Sequence, residues 1–552
     1  MRTYEFDILC IGSGVSGLMA SIAASEEHKD ICIVSKDPFS WGNTRISGGV
    51  IASNQDSSLD IDILNAGRRL NSSELVETLL NDSENIHETV ESWGHIYRRN
   101  GNKKIKIKPG GHSEARTYIS SYKGISLGNV LRMRLLEETN VKIIEETIVC
   151  KILTHDSRVY GAICYNWIKD TWYIIYAKQI ILATGGGGML YDPHTDNMRS
   201  STGDSYSLAL QCGASLIDME QIQFIPFGVA YPQGMTGLEI GDTAAAGPYG
   251  KLITEDGKLI LGNIPSLTRE EVSRKIALAM SRGSTELKDN VKLDPTANIN
   301  KQDGKEAWVN TNNSGSLEAV KYAYGVKSYK WEEPFSVIPT VHYIMGGVLV
   351  DQQGCTEVDG LLVAGEAAGG VHGSGRLGSM SLFEGLVFGR KVGKIAAEQI
   401  DKTKDNPFPI KESDLIINEY KKTISNGKGS NSPFLLKKKL AEVMWKDVGL
   451  IKTEKSLLRA MEQIKKIEKL SKELFVNWKK SEQRQLILNT IELKMMVTTS
   501  KAIIVSSLIR RESRGSHYRL DYPSENNSED YNVKVDLKDG EVQAKKYDKS
   551  IS

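Results

Sequence analysis

The chain has 552 residues, with 70 lysines and arginines against 69 acids, a net charge of +1, and 40% apolar residues. At about 150 residues per domain this is material for three or four domains, and the ordinary globular composition excludes collagenous, disordered and disulfide-scaffold classes. The balanced charge argues against a general nucleic-acid or anionic-membrane binder.

The N-terminal stretch has acids by Glu5 and no cleavable apolar segment. Residues 6–36 then read as strand, glycine turn, helix, strand. Phe6–Ile11 is an apolar run of the kind buried in a parallel sheet, Gly12-Ser13-Gly14-Val15-Ser16-Gly17 is the turn, and Ile31–Val34 is the second strand. The turn satisfies G-x-G-x-x-G in its demanding context, after a strand and before a helix. Gly12 permits the tight turn, Gly14 lets backbone approach a pyrophosphate, and Gly17 allows close strand–helix packing. The helix N-terminus offers N–H groups and a positive dipole end to that pyrophosphate. The second strand ends in Ser35-Lys36, where an acid ordinarily receives ribose hydroxyls. That departure weakens a nicotinamide dinucleotide more than a flavin one.

Further along, Gln179–Thr184 is another apolar strand running into Gly185–Gly188, and Leu361–Ala364 runs into Gly365-Glu366 in the same way. Residues 284–318 are polar and predict a long loop or irregular insertion. From 433 to 511 glycines nearly vanish, and Leu457, Met461, Ile464, Ile467 and Leu470 recur at helical spacing. The residues after 524 are polar and mixed in charge and predict a surface tail or small add-on. Six cysteines (10, 32, 150, 164, 212 and 355) stand singly, which excludes an iron–sulfur cluster or zinc ribbon held by this chain alone. Their usage fits a reducing compartment, hence a cytoplasmic location. No run approaches about 18 uninterrupted apolar residues, so no direct membrane span is expected.

A longer set of motifs is more specific. In order along the chain stand Asn43-Thr44…Gly48-Gly49, Gly110-Gly111-His112-Ser113, Ala183-Thr184-Gly185-Gly186, Thr202-Gly203-Asp204, Asp218-Met219-Glu220…Gln223-Phe224, Pro339-Thr340-Val341-His342-Tyr343…Gly346-Gly347, Gly365-Glu366-Ala367…His372-Gly373-Ser374-Gly375-Arg376-Leu377 and Arg511-Glu512-Ser513-Arg514-Gly515-Ser516-His517. Over about residues 5–523 the sequence resembles the flavoprotein subunit of succinate dehydrogenase and fumarate reductase, and its relative L-aspartate oxidase. The resemblance implies an α/β fold: a doubly wound, Rossmann-like FAD domain (1–233 and 346–405), an inserted capping domain (234–345), a helical domain (410–523) and a polar C-terminal tail (524–552).

The resemblance also implies the site. Gly12, Gly14 and Gly17 would meet the FAD pyrophosphate, with Ser35 and Lys36 on the adenosine side. Asn43, Thr44, Gly48, Gly49, Thr184 and Gly185 would belong to the cofactor loops. Asp204 and Glu366 would hold flavin or ribityl polar groups, and Ser381 and Leu382 would line the isoalloxazine. Membrane-complex members tether FAD through a histidine before their Gly-Gly element; Trp41–Arg45 contains none, so non-covalent FAD is expected. Arg376 would clamp a substrate carboxylate, His342 would bind one, and Arg274 would relay a proton. Guanidinium groups suit this chemistry, because they grip carboxylates bidentately and stabilise charge that develops beside them. Read from its neighbours alone, Arg274 is a solvated charge on an amphipathic helix. No metal ligand set is expected.

Three departures fall on the substrate side. Gln223-Phe224-Ile225-Pro226-Phe227 replaces a second carboxylate-binding histidine by Ile225, the stretch Glu239–Gly247 lacks the family's arginine, and Pro109 stands where aspartate oxidases carry a glutamate. Apolar Ile225 and Phe227 cannot hydrogen-bond a second carboxylate. The expected function is hydride transfer between FAD and a dicarboxylate-like substrate. The implied partners are a small carboxylate and a separate iron–sulfur subunit, through which the chain would sit peripherally at a membrane's inner face. Two alternatives stay open: an L-aspartate oxidase-like enzyme, and an altered flavoprotein that relays electrons or takes a different carboxylate.

Overall fold

The computed structural model describes residues 2–548 apart from 57, 139, 283–286, 288–289, 316, 401–413, 419, 421, 423–430, 475–483 and 528–529. The expected junction between residues 405 and 410 lies outside the described residues.

The continuous apolar runs read from the sequence become the centre of a seven-stranded sheet. Val141–Ile144, Ile31–Val34, Arg2–Ile11, Thr171–Leu182 and Leu361–Val363 are parallel, and the antiparallel pair Arg158–Asn166 and Thr147–His155 extends the sheet beyond Thr171–Leu182. Strand 31–34 is buried at every position, as expected where helices and loops cover both faces. Helix Val15–Ser25 is buried along its whole length. It lies against helix Met380–Ile400, whose Gly385, Gly389 and Gly393 recur every four residues on the contact. A Cβ at Gly389 would stand 2.7 Å from the Ser16 carbonyl oxygen, and one at Gly393 2.2 Å from that of Ala20. Only glycine on that stripe lets the two backbones approach so closely.

A second, six-stranded antiparallel sheet forms the cap in the order Glu239–Gly241, Ile222–Val229, Phe335–Ile344, Val291–Asp294, Lys251–Thr254, Leu259–Leu261. Strand Ile222–Val229, assigned from sequence to the first FAD segment, is thus hydrogen-bonded into the cap sheet. The polar 284–318 interval also departs from the expected loop. Its described part contains strand Val291–Asp294, helix Gln302–Ser314 and the start of helix Leu317–Tyr324, with Leu317 and Val320 turned into the cap core.

Helices Pro433–Val448, Glu454–Leu470 and Arg484–Ile509 make the C-terminal domain, and the stripe expected from sequence packs inward through buried Leu457, Ile464 and Ile467. The closing residues are not a tail. Asn532–Lys538 and Glu541–Tyr547 form a hairpin that pairs with Leu216–Ile217. Alternating Val533, Val535 and Leu537 face the protein, and Asp539 (φ 51°) and Gly540 (φ 77°) supply the positive dihedrals of a two-residue turn.

Buried ion pairs join these parts. Arg510 bonds Glu220, Asp218 (3.1 Å) and Glu512 (2.9 Å), with its side chain fully enclosed. The Asp218-Met219-Glu220 and Glu512–Arg514 motifs therefore lock the C-terminal segment onto the cap-proximal chain. No helix among the described residues is long and apolar enough to cross a membrane.

Candidate active site

The glycine turn sits at the C-terminal edge of the parallel sheet, where open α/β sheets bind ligands. Gly12 has φ 112°, and a Cβ there would lie 2.2 Å from the Ala183 carbonyl oxygen; a Cβ at Gly17 would meet the Gly12 oxygen at 2.0 Å. Gly14 occupies the N-cap position of helix Val15–Ser25, whose first turn carries no acid. The helix dipole at that end is therefore not neutralised by its own first turn. Thr44 reaches across, its Oγ1 accepting from the Val15 N–H at 3.0 Å. Asn43 bonds Asn197 and the Met198 N–H, fixing the 42–46 turn to the loop beyond the sheet. Beside this cradle, the Thr184 hydroxyl is buried without a hydrogen-bond partner, and no atom lies within 4 Å of the Cβ positions of Gly48 and Gly185. Gly49, by contrast, packs on Lys123 at φ 68°. An orphaned hydroxyl, glycines with open space at their Cβ positions and a helix N-terminus without an acid in its first turn make a cradle that suits a dinucleotide.

The other expected cofactor residues are distributed less simply. Ser35 Oγ bonds Ser13 Oγ at 2.8 Å, inside the turn. Lys36 is not a free cation: its Nζ pairs with Asp204 at 2.8 Å and Glu492 at 3.0 Å and donates to Thr202 at 2.7 Å. Burial pulls its pKa down, but the two carboxylates outweigh that and hold it above the ordinary lysine range. Asp204, expected at the flavin, spends one oxygen on Lys36 and the other on Thr202. Glu366 accepts from the Ile344 N–H at 3.1 Å, and burial pushes its carboxyl up to about 7. Ser381 and Leu382 lie in the first turn of helix Met380–Ile400, with Leu382 buried.

At the cap interface the structure gathers a set of charges. Arg376 is 4% exposed, and its Nε donates to Gln223 Oε1 at 3.1 Å while Nη1 donates to the Leu377 carbonyl at 3.1 Å. Its guanidinium lies 4.8 Å over the Tyr343 ring. Burial, reinforced by the nearby Arg269 cation, lowers its pKa to about 10. Arg269 donates to the same Gln223 Oε1 (3.3 Å) and pairs through Nε with Asp242 at 2.7 Å. His342, on cap strand Phe335–Ile344, bonds Asp196 through Nδ1 at 2.6 Å.

Arg274 is not in this group. It is directed to the C-terminal motif, donating to the Gly515 carbonyl at 2.9 Å with its guanidinium 4.6 Å over Tyr518. The reason is helical geometry. Thr268 and Glu271 form a capping box that starts the helix at Arg269, and five residues later the side chain points roughly 140° around the axis. Arg269 and Asp242 beside Arg376, and Asp196 and Glu239 within 4.8 Å of His342, are neighbours of the predicted residues that the sequence reading did not single out. The capping box was the available signal, since it places Arg269 at the helix end facing the cleft.

Residues 7–382 match the FAD binding domain family, and residues 437–548 the fumarate reductase flavoprotein C-terminal family. The chain belongs to the fumarate reductase/succinate dehydrogenase flavoprotein family. It is 32% identical to a fumarate reductase (CoM/CoB) subunit of Methanothermobacter marburgensis, over 94% of this chain and 95% of that one. Its fold overlays a quinol fumarate reductase flavoprotein of Escherichia coli with a TM-score of 0.89 at 26% identity, covering 100% of this chain and 98% of the other. An adenosine-5-phosphosulfate reductase shares the fold alone, with a TM-score of 0.79 at 18% identity, covering 100% of this chain and 97% of that one. The chain is thus an FAD-dependent oxidoreductase of this family, and the cradle at 12–17 and 183–185 fits that cofactor.

Proposed function

We propose that this flavoprotein transfers two electrons between FAD and a carbon–carbon bond adjacent to a carboxylate, exchanging them with a separate iron–sulfur subunit. The observation that carries the reading is Arg376: a buried guanidinium at the cap interface that meets only neutral acceptors among the described residues, beside a second guanidinium on the same amide oxygen. A buried cation without a counter-ion is costly, and a carboxylate ligand relieves that cost through a bidentate, charge-assisted contact.

FAD supplies the hydride donor or acceptor; the 12–17 turn, Thr44 and Thr184 would hold it non-covalently. Arg376 binds and orients the carboxylate and stabilises the negative charge that develops beside it during transfer. Gln223 fixes both guanidiniums through one oxygen, so neither has to reorganise. Arg269 takes the proton-relay role expected of Arg274. An arginine ordinarily keeps its proton; here Asp242, hydrogen-bonded to Nε, returns a proton to the guanidinium as the other face delivers one to substrate carbon. His342, oriented by Asp196, contacts the substrate from the cap. Cap closure over the site excludes water.

The iron–sulfur partner is supported by the relatives' designation as subunits and by the six cysteines. These are unpaired, five are buried, and burial raises each thiol above its ordinary value. The test is anaerobic reoxidation. Dithionite-reduced protein mixed with an unsaturated carboxylate such as fumarate or crotonate should regain its oxidised flavin spectrum; a spectrum unmoved by either would overturn the proposal.

A further inference from the structure

Beneath Arg376 lies a buried network that the proposed reaction has not used. The guanidinium stands 4.8 Å over the Tyr343 ring. The Tyr343 hydroxyl donates to Glu384 Oε2 at 3.2 Å, and His372 Nε2 lies 2.7 Å from the same oxygen. The Tyr343 and His372 rings meet edge to face, with centroids 5.6 Å apart and planes at 76°. All four side chains are buried. They come from three parts of the fold. Tyr343 belongs to cap strand Phe335–Ile344, His372 and Arg376 to the glycine-rich loop, and Glu384 to helix Met380–Ile400, which also carries Ser381 and Leu382.

The simplest counter-ion for a buried guanidinium is a carboxylate in direct contact. Here Glu384 is bonded to Tyr343 and His372 instead, and Arg376 rests on the tyrosine ring. A direct pair would close the planar fork that a substrate carboxylate needs. An aromatic face attracts the cation without occupying any of its N–H groups. Nε and Nη1 of Arg376 are engaged by Gln223 and the Leu377 carbonyl, and Nη2 makes no hydrogen bond among the described residues. Burial, reinforced by the nearby Glu384 charge, holds the Tyr343 phenol well above its ordinary pKa, so it keeps its proton and donates. A phenol that donates to a carboxylate is polarised toward a more negative ring, and such a ring holds a cation more firmly. Glu384 therefore acts on Arg376 through Tyr343.

We propose that Tyr343 and Glu384 are positioning residues for the carboxylate clamp: the ring is an uncharged floor that holds the Arg376 guanidinium in place with its fork open, and Glu384, with His372 on the same oxygen, fixes and polarises that floor. This rests on the flavoenzyme reading above and adds two residues to its site. The floor orders Arg376 before substrate arrives. Its loss is therefore felt when the carboxylate binds, and much less once the bound carboxylate has itself aligned the fork.

Concentration-dependent anaerobic reoxidation of the dithionite-reduced, FAD-loaded protein by fumarate and by crotonate tests this, since it separates apparent Kd from limiting rate. Glu384→Gln and Tyr343→Phe should each raise the apparent Kd about threefold to tenfold, and Tyr343→Leu, which removes the ring, about tenfold or more. Limiting rates should stay within about threefold of wild type. The decisive variant is Tyr343→Phe combined with Glu384→Gln. If Glu384 acts through the phenol, the double variant binds within about twofold of the weaker single one; a purely structural Glu384 gives multiplied losses and overturns the inference. FAD content and denaturation midpoint are measured alongside, and if Tyr343→Leu does not retain FAD the Phe and Gln variants decide alone. An apparent Kd unmoved in these variants while Arg376→Lys loses reoxidation, or a loss confined to the limiting rate, would overturn the inference and leave the clamp standing. A wild-type flavin that neither carboxylate reoxidises would overturn the flavoenzyme reading and this inference together.

Discussion

Arg269 and Arg376 donate to one oxygen, Gln223 Oε1, at 3.3 and 3.1 Å. Two like charges are thereby held side by side from different elements, one at the start of a cap helix and one in the glycine-rich 373–378 loop. Gln223 Nε2 closes the arrangement by donating to the Arg376 carbonyl at 2.8 Å. Arg376→Lys keeps a charge but loses the planar fork and the Gln223 contact. We expect it to retain FAD and lose about 100-fold or more in kcat/KM, in line with the loss of one preorganised transition-state donor. Steady-state kinetics on FAD-quantified protein checks this; undiminished turnover would remove Arg376 from the site.

Thr184 tests the cofactor cradle. Its buried hydroxyl has no protein partner, so Thr184→Val removes nothing the protein itself uses. If the hydroxyl bonds FAD, the substitution weakens FAD by roughly tenfold, the worth of one hydrogen bond. Fluorescence titration of apoprotein with FAD should show that loss, with an unchanged denaturation midpoint before FAD is added.

The Lys36–Asp204–Glu492 group ties the helical domain to the cofactor domain, because Glu492 comes from helix Arg484–Ile509. Lys36→Met leaves buried carboxylates partly uncompensated and is expected to cost about 3–5 kcal/mol. Glu492 retains Lys437 as a partner, which moderates the effect on its side. Chemical denaturation should show the loss, and Lys36→Met combined with Asp204→Asn should recover part of it.

Acid sensitivity should come partly from buried histidines. His87 bonds Tyr97 and the Ala52 carbonyl, and burial pulls its pKa down to about 4; His95, buried nearby, is likewise drawn to about 4. Both are neutral in the folded protein at pH 5, while in the unfolded chain they take up protons below about 6.5. The unfolded state then binds more protons, so stability falls as pH drops from 6.5 toward 4. His87→Gln should flatten that fall in a denaturant series at pH 7, 6 and 5; an unaltered slope would show that His87 does not titrate in this window.

Much of this was legible in the sequence. The glycine turn between apolar runs located the nucleotide end of the sheet, because a parallel strand and a tight turn leave local signatures. The Leu457–Ile467 stripe located a packed helix for the same reason. The charge cluster was less legible, since it is assembled from strand Ile222–Val229, the Asp242 turn, the Arg269 helix end and the 373–378 loop. No local pattern declares which arginine of 269 and 274 turns inward until the capping box fixes where the helix begins. The C-terminal hairpin was missed because its composition is polar, although Val533-x-Val535-x-Leu537 followed by Asp539-Gly540 carries both the alternation and the turn.

The central claim is that the working guanidiniums are Arg269 and Arg376. Anaerobic stopped-flow reoxidation of dithionite-reduced protein by an unsaturated carboxylate, compared among wild type, Arg269→Gln and Arg274→Gln, tests it most directly. The account predicts a loss of about 100-fold or more for Arg269→Gln and a rate within a few-fold of wild type for Arg274→Gln, with FAD retained in both. Fast reoxidation in Arg269→Gln together with a large loss in Arg274→Gln would contradict it.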